Sequence, residues 1–312
     1  MARYFIEHVT HYAYSQTVGL SLQLAHLRPR EDSAQRTASH ALHVSPQPAE
    51  IREDIDYFGN PVTRFELARS HQELIITAES EVSVDRDATL PESSQPWESV
   101  RAHFARTIWG RGLDADVAEF LFPSPHVPQS ASARRYALES FAPERPIVEA
   151  TVDLMARIHA DFEFDPDATH VATPIDTVLE IRRGVCQDFA HLMIACLRSL
   201  GLPARYVSGY LLTEPPPGQE RLIGADASHA WVSLHVPEHG WLDFDPTNDM
   251  VPGNSHVTLA WGRDFTDVSP LRGVIQGGGE HTVKVGVTMT PIDPEPPAAP
   301  AAPATPPAKT RP

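Results

Sequence analysis

Apolar and polar residues alternate along the first quarter of the chain. Leu20, Leu22 and Leu24 are separated by Ser21 and Gln23, and Val82 and Val84 by Ser83. A period of two places such residues on one face of a strand. Arg3–Thr10, Ile51–Phe58, Val62–Leu67 and His71–Val84 extend the pattern, with Gly59-Asn60-Pro61 as a turn. No helical period of any length interrupts it. Residues 1–85 are therefore expected to form an antiparallel sandwich or open barrel.

Residues 86–145 carry less signal. Pro91–Pro96 has linker composition. Short helices are expected at Val100–Ile108 and Asp114–Phe122, then a Pro/Ser-rich loop at Phe122–Ser132. From Pro146 the period changes. Val148, Val152, Met155, Ile158 and Phe162 predict a helix over about Pro146–Phe162, and Pro146 suits its first turn. Asp176–Arg183 gives a shorter helix ending at Gly184. The strongest stripe follows: Phe189, Leu192, Met193, Cys196, Leu197 and Leu200 recur at i, i+3, i+4, i+7 and i+8. Gly201 and Pro203 end that helix.

Beyond it the alternation returns. Strands are expected at Arg205–Leu211, His229–Val236 and Trp241–Asp245, and a last one at Val283, Val285 and Val287. Thr213–Ile223, with Pro215-Pro216-Pro217-Gly218, reads as a loop bordering a cleft. Helices followed by an antiparallel sheet make an α+β class, with residues 146–290 as a second domain. Residues 291–312 are almost all Pro and Ala. Such a segment cannot bury enough apolar area to offset its ordering entropy and is expected to be a disordered tail.

Composition narrows the function. A chain of 312 residues holds two domains with substantial cores. A net charge of −16 argues against nucleic acid and against anionic membrane surfaces, which attract basic patches. No run is long and apolar enough to span a bilayer. The first residues lack a signal peptide's apolar core and cleavage site, so the cytoplasm is expected. His8, His11, His26, His40 and His43 share no spacing, and Asp243–Asp249 lacks the Gly and Glu of a calcium loop. No metal or other cofactor is expected.

There are two cysteines, ten residues apart on one expected helix. That is about 15 Å of rise, whereas a disulfide needs Cα atoms within about 7 Å. Cys196 falls on the apolar stripe as a core residue. Cys186 falls at the helix start, where unpaired N–H groups and the positive end of the helix dipole favour an anionic sulfur. A cysteine nucleophile needs a base and a group to orient it. His229 opens a strand next to Ala230-Trp231, and the following strand should pair with it antiparallel. Counting back from the turn at Pro237–Gly240 sets Asp245 beside His229. Asp243, on the same face, is the alternative carboxylate. Asp188 reads as a structural hydrogen-bonding group at the helix end. His191 lies on a different helix face from Cys186.

The segments Gly184-Val185-Cys186-Gln187-Asp188, Ser228-His229-Ala230-Trp231, Gly240-Trp241 and Asp245-Pro246-Thr247 together resemble the core of the transglutaminase-like superfamily. Thr10-His11-Tyr12-Ala13-Tyr14, Leu27-Arg28-Pro29-Arg30, Phe58-Gly59-Asn60 and Gly262–Val268 are similar to bacterial transglutaminase-like proteins with their own N-terminal β domain. The resemblance spans about residues 1–290. It implies a papain-like fold in which Cys186 is the nucleophile, His229 the base and Asp245 the orienting carboxylate. It also implies acyl transfer through a thioester. Peptide or amide hydrolysis on a peptide or protein substrate is expected. The alternatives are cross-linking of protein glutamine to amines and a non-catalytic binding module. The oxyanion would take the Cys186 N–H and a second donor from Gln187 or Tyr206, with Trp231 a core or cleft-wall aromatic and a candidate to touch substrate.

Overall fold

The computed structural model describes residues 1–109, 115–213 and 227–292. The N-terminal alternation folds as β1 (Ala2–Ala25), β2 (Gln35–Ser45), β3 (Ile51–Ile55), β4 (Pro61–Leu67) and β5 (His71–Val84). A helical region follows with α1 (Trp97–Trp109), α2 (Ala115–Ala118), one 3-10 turn at Glu119–Leu121, α3 (Ala131–Ser140) and α4 (Ile147–Asp161). Next come β6 (Glu163–Phe164), α5 (Ile175–Ile181), β7 (Arg183–Gly184) and α6 (Cys186–Ser199). The chain then forms β8 (Ala204–Leu211), β9 (Ala227–Val236), β10 (Gly240–Phe244), β11 (His256–Gly262) and α7 (Phe265–Val268). It closes with β12 (Leu271–Gly277) and β13 (His281–Pro291). The class is α+β, as the sequence indicates. No helix among the described residues is long and apolar enough to cross a membrane.

The first sheet differs from expectation in its membership. The final strand exists, but it pairs antiparallel with β1, His8 opposite Val287, and β12 pairs with the second half of β1. The sheet therefore has seven strands. It is not built from residues 1–85 alone, and residues 146–290 do not run through as one separate domain. The cause is the length of β1, which has 24 residues. β5 covers one edge of its first half and β4 an edge of its second half. Without β12 and β13 the remaining main-chain groups would lack partners. Pairing reaches Pro291, past the boundary expected at 290, and Ile292 N donates to Arg3 O at 2.8 Å. The Pro/Ala stretch from 293 onward lies outside the described residues.

In the core domain α6 is the central element. Every side chain from Asp188 to Arg198 is buried. Phe189, Leu192, Met193 and Leu197 pack with Leu154 and Ile158 of α4 on one side and Ala204, Val232 and Leu234 of the sheet on the other. That sheet runs β10-β9-β8-β11, all antiparallel. α5 stops at Ile181 rather than at Gly184, because Arg182 takes a left-handed conformation with φ 56°. Helix α3 was not expected. Its start falls at the end of the Pro/Ser-rich stretch, where the Ser130 hydroxyl caps it by accepting from Ala133 N at 3.0 Å.

β11 is the edge strand where the two units join. Two amide side chains of the first unit pair with its main chain as a neighbouring strand would. Gln35 donates to Thr258 O and accepts from Thr258 N, both at 2.8 Å. Asn60 does the same with Trp261, both bonds at 2.9 Å. The guanidinium of Arg30 stacks 3.4 Å from the Trp261 ring centroid, and that of Arg205 lies 3.8 Å from it. Arg30 and Asn60 belong to two of the motifs singled out in the N-terminal region.

Candidate active site

Cys186 is the first residue of α6 and is partly exposed. Local chemistry fixes the helix at that point. The Asp188 carboxylate reaches back to accept from Val185 N at 2.9 Å, satisfying a donor at the helix start. Thr169 Oγ1 donates to the same oxygen at 2.7 Å. Gly184 makes this possible: a Cβ there would sit 2.7 Å from Asp188 Oδ2. The structural role expected for Asp188 is thus what is seen, and burial pushes its carboxyl up. The main-chain N–H of Cys186 stands in the first turn of α6, where an α-helix leaves its N–H groups without an intrahelical partner.

His229 sits on β9 and is buried, 7% exposed. Its Nε2 is 2.8 Å from Asp245 Oδ2. The Cys186 side chain acts on the same ring. With Nε2 committed to Asp245, Nδ1 is the nitrogen that remains to serve the sulfur. Burial opposes charge on this imidazole, but the bonds to Asp245 and Cys186 and their negative charges outweigh it. The pKa rises to about 10. The arrangement therefore favours an imidazolium beside the Asp245 carboxylate.

Asp245 is fully buried and lies just past β10. Burial pushes its carboxyl up, but hydrogen bonds from His229, His256 and Asn248 hold it well below the usual carboxylate range. Oδ1 accepts from Thr247 N at 3.0 Å and Asn248 N at 3.3 Å. Oδ2 accepts from Asn248 Nδ2 at 2.7 Å besides the imidazoles. Asp243, the alternative carboxylate, stands opposite Ser233, and its charge acts on Arg205.

The remaining candidates divide. Tyr206 is buried under Phe265 and His191, near enough to Cys186 and Asp188 that their charges add to burial in raising its phenol. Gln187 turns its amide to Val171 O at 3.3 Å, which ties it to the preceding loop. Trp231 corrects an expectation. It is fully buried, so it offers no surface to a substrate. Its ring fills the space beneath His229 and meets His256 edge-on at 5.2 Å. Gly209, opposite His229, leaves room for it: a Cβ there would come 2.5 Å from the Trp231 ring. His191 is removed from the sulfur, stacked on His126 and accepting from Phe265 N at 3.2 Å. Burial lowers its pKa to about 3. The Thr213–Ile223 loop expected to border the cleft lies, beyond Thr213, outside the described residues.

Sequence reasoning missed His256 and Asn248. Asn248 follows Asp-Pro-Thr directly. His256 had no signal beyond its place at the start of an apolar strand. The ligand atoms of His229, Asp245 and His256 lie within 4.8 Å of one another, a spacing a metal ion would accept. Here both imidazoles address one carboxylate oxygen.

Comparison with known proteins identifies the family and the fold. Residues 4–83 match the family model for the bacterial transglutaminase-like N-terminal region, and residues 134–246 that for the transglutaminase-like superfamily. An uncharacterized protein of Mycobacterium tuberculosis is 40% identical over 301 residues, covering 93% of each chain. The protein-glutamine gamma-glutamyltransferase of Pseudomonas aeruginosa is 38% identical over 92 residues, 29% of this chain and 14% of that one. The fold matches a crystal structure from Cytophaga hutchinsonii, described as a candidate cysteine protease, with a TM-score of 0.71 at 22% identity. That match covers 95% of this chain and 92% of the other. The chain belongs to the transglutaminase-like superfamily, in its bacterial branch with a dedicated N-terminal region.

Proposed function

We propose that the protein is a cysteine enzyme that transfers acyl groups through a thioester on Cys186, and that it hydrolyses peptide or amide bonds. The observation that carries this is the position of His229, bonded to Asp245 at 2.8 Å and acted on by the Cys186 side chain. In the reaction Cys186 Sγ attacks the carbonyl carbon and the C=O bond pair moves to oxygen. The Cys186 N–H at the start of α6 and the Tyr206 hydroxyl hold the resulting oxyanion. As the C–N bond breaks, His229 Nδ1 passes its proton to the leaving amine. The neutral imidazole then takes a proton from water, whose oxygen attacks the thioester. The acid product leaves and Cys186 recovers the pair.

A second outcome uses the same first half. If a primary amine replaces water, the product is a new amide. The sequence likeness to the Pseudomonas aeruginosa protein-glutamine gamma-glutamyltransferase favours including it, over the 92 residues it covers. The test is incubation with glutamine-containing peptides, with and without a labelled primary amine, and mass spectrometry of products and enzyme. An acyl adduct on Cys186 that is absent from Cys186→Ala supports acyl transfer. The split between acid and amide products assigns the acceptor. An adduct elsewhere, or turnover that survives in Cys186→Ala, overturns the proposal.

A further inference from the structure

β11 opens with His256, which is fully buried. Its Nε2 lies 3.3 Å from Asp245 Oδ2, the oxygen that also takes His229. Its Nδ1 lies 3.2 Å from Ser255 Oγ. A neutral imidazole has one donor and one acceptor nitrogen. Next to a buried carboxylate held in its anionic form, the donor is Nε2–H. Nδ1 then accepts from the Ser255 hydroxyl. Burial keeps this ring neutral despite Asp245. It differs in this from His229, which meets the same carboxylate as a cation.

The strand that carries His256 is held from behind. Gln35 pairs with the Thr258 main chain. Arg86, just past β5, donates to Thr258 Oγ1 at 3.0 Å and to His256 O at 3.4 Å. Its main-chain N–H donates to Asn254 Oδ1 at 2.9 Å, and Tyr4 OH to Asn254 O at 3.0 Å. The segment leading into β11 is thus fastened to the first sheet at several points.

We infer that His256 is a positioning residue: it anchors the Asp245 carboxylate, and through it the His229 imidazole, to the strand that the N-terminal unit clamps. Asp245 otherwise hangs from its own turn, through Thr247 and Asn248. Besides His229 itself on β9, His256 on β11 is the donor among the described residues that comes from another strand. It ties the carboxylate's orientation to the joint between the two units. The consequence for rate rests on the acyl-transfer proposal above. The consequence for geometry does not.

The experiment compares full-length wild type, His256→Ala, His256→Gln and Gln35→Ala. The first readout is the low-field imidazole proton of the His229–Asp245 bond in the NMR spectrum, assigned by its loss in His229→Gln. In His256→Ala it should move upfield or broaden, and kcat should fall roughly tenfold to a hundredfold, as a displaced catalytic group requires, with KM little changed. His256→Gln, whose amide places a donor near the Nε2 position, should restore most of both. Gln35→Ala should shift the resonance in the same direction by less. An unchanged resonance in folded His256→Ala overturns the inference. So does a His256→Gln protein as impaired as His256→Ala, because the ring's shape rather than its donor would then matter. A wild type that neither turns over nor forms an adduct refutes acyl transfer, and the resonance still tests the positioning.

Discussion

His229 gives Nε2 to Asp245 at 2.8 Å, and Cys186 acts on the same ring, so one imidazole answers to a carboxylate and a sulfur. Removing Asp245 therefore has two separable effects. Asp245→Asn keeps an oxygen that accepts from Nε2–H but loses the charge. Asp245→Ala loses both. We expect a loss in kcat/KM of roughly tenfold for Asn and about a hundredfold or more for Ala. Both should move the alkaline limb of the pH profile below about 10, because the charge that raises His229 is gone. Equal losses in the two variants, with an unmoved limb, would show that Asp245 neither charges nor orients the ring.

The two thiols should differ sharply toward alkylation. Cys186 is partly exposed, whereas Cys196 is fully buried and donates to Ala133 O at 3.3 Å. Burial also pushes the Cys196 thiol up. Iodoacetamide should modify the native protein once, at Cys186, and Cys186→Ala should remain unlabelled until denatured. Peptide mapping reads this directly, and a first label on Cys196 would contradict it.

Stability should depend on pH through His229 in a defined direction. The unfolded imidazole titrates near its ordinary 6.5, and the folded one near about 10. A raised histidine pKa contributes stability that is complete below 6.5 and is lost as pH rises through about 10. Urea unfolding of wild type and His229→Gln should show a stability gap that is widest near pH 6 and narrows toward pH 10. A gap constant across that interval would mean the folded imidazole is not held as a cation.

Asp188 should matter to folding more than to the acyl step. Its carboxylate accepts from Val185 N and Thr169 Oγ1 at the start of α6. Asp188→Ala removes a helix-start acceptor and should cost about 1–2 kcal/mol. The urea midpoint measures this. Ser, a shorter capping residue, should recover part of it, and no change in midpoint would remove Asp188 from the cap.

Cys186, His229 and Asp245 were legible because each announces itself locally. Cys186 precedes a clear apolar stripe, His229 interrupts a strand at its mouth, and a short turn sets the register of Asp245. Other parts left weaker traces. Helix α3 buries Ala133, Tyr136, Ala137 and Ser140, so its inward face is mostly small residues that barely register as apolar. The alternation of Val283, Val285 and Val287 announces a strand but carries no address for its partner, which is β1. Whether Trp231 lies in the core or in a cleft wall is open in the sequence, because a tryptophan beside a histidine looks the same above or beneath it. Only the close approach permitted by Gly209 decides the matter. His256 meets Asp245 through a strand connection that no local spacing encodes.

The pairing of Tyr4 with Pro291 has a consequence for biosynthesis. On the ribosome β1 is made well before β12 and β13, so one side of its ladder waits for partners from far along the chain. The unit bearing the thiol is synthesised in between, as an insertion into an unfinished sheet. A nascent or truncated polypeptide lacking its final strand would carry the sulfur and the imidazole on an unsecured frame. Synthesis of β13 thus completes the sheet to which the thiol-bearing unit is fastened.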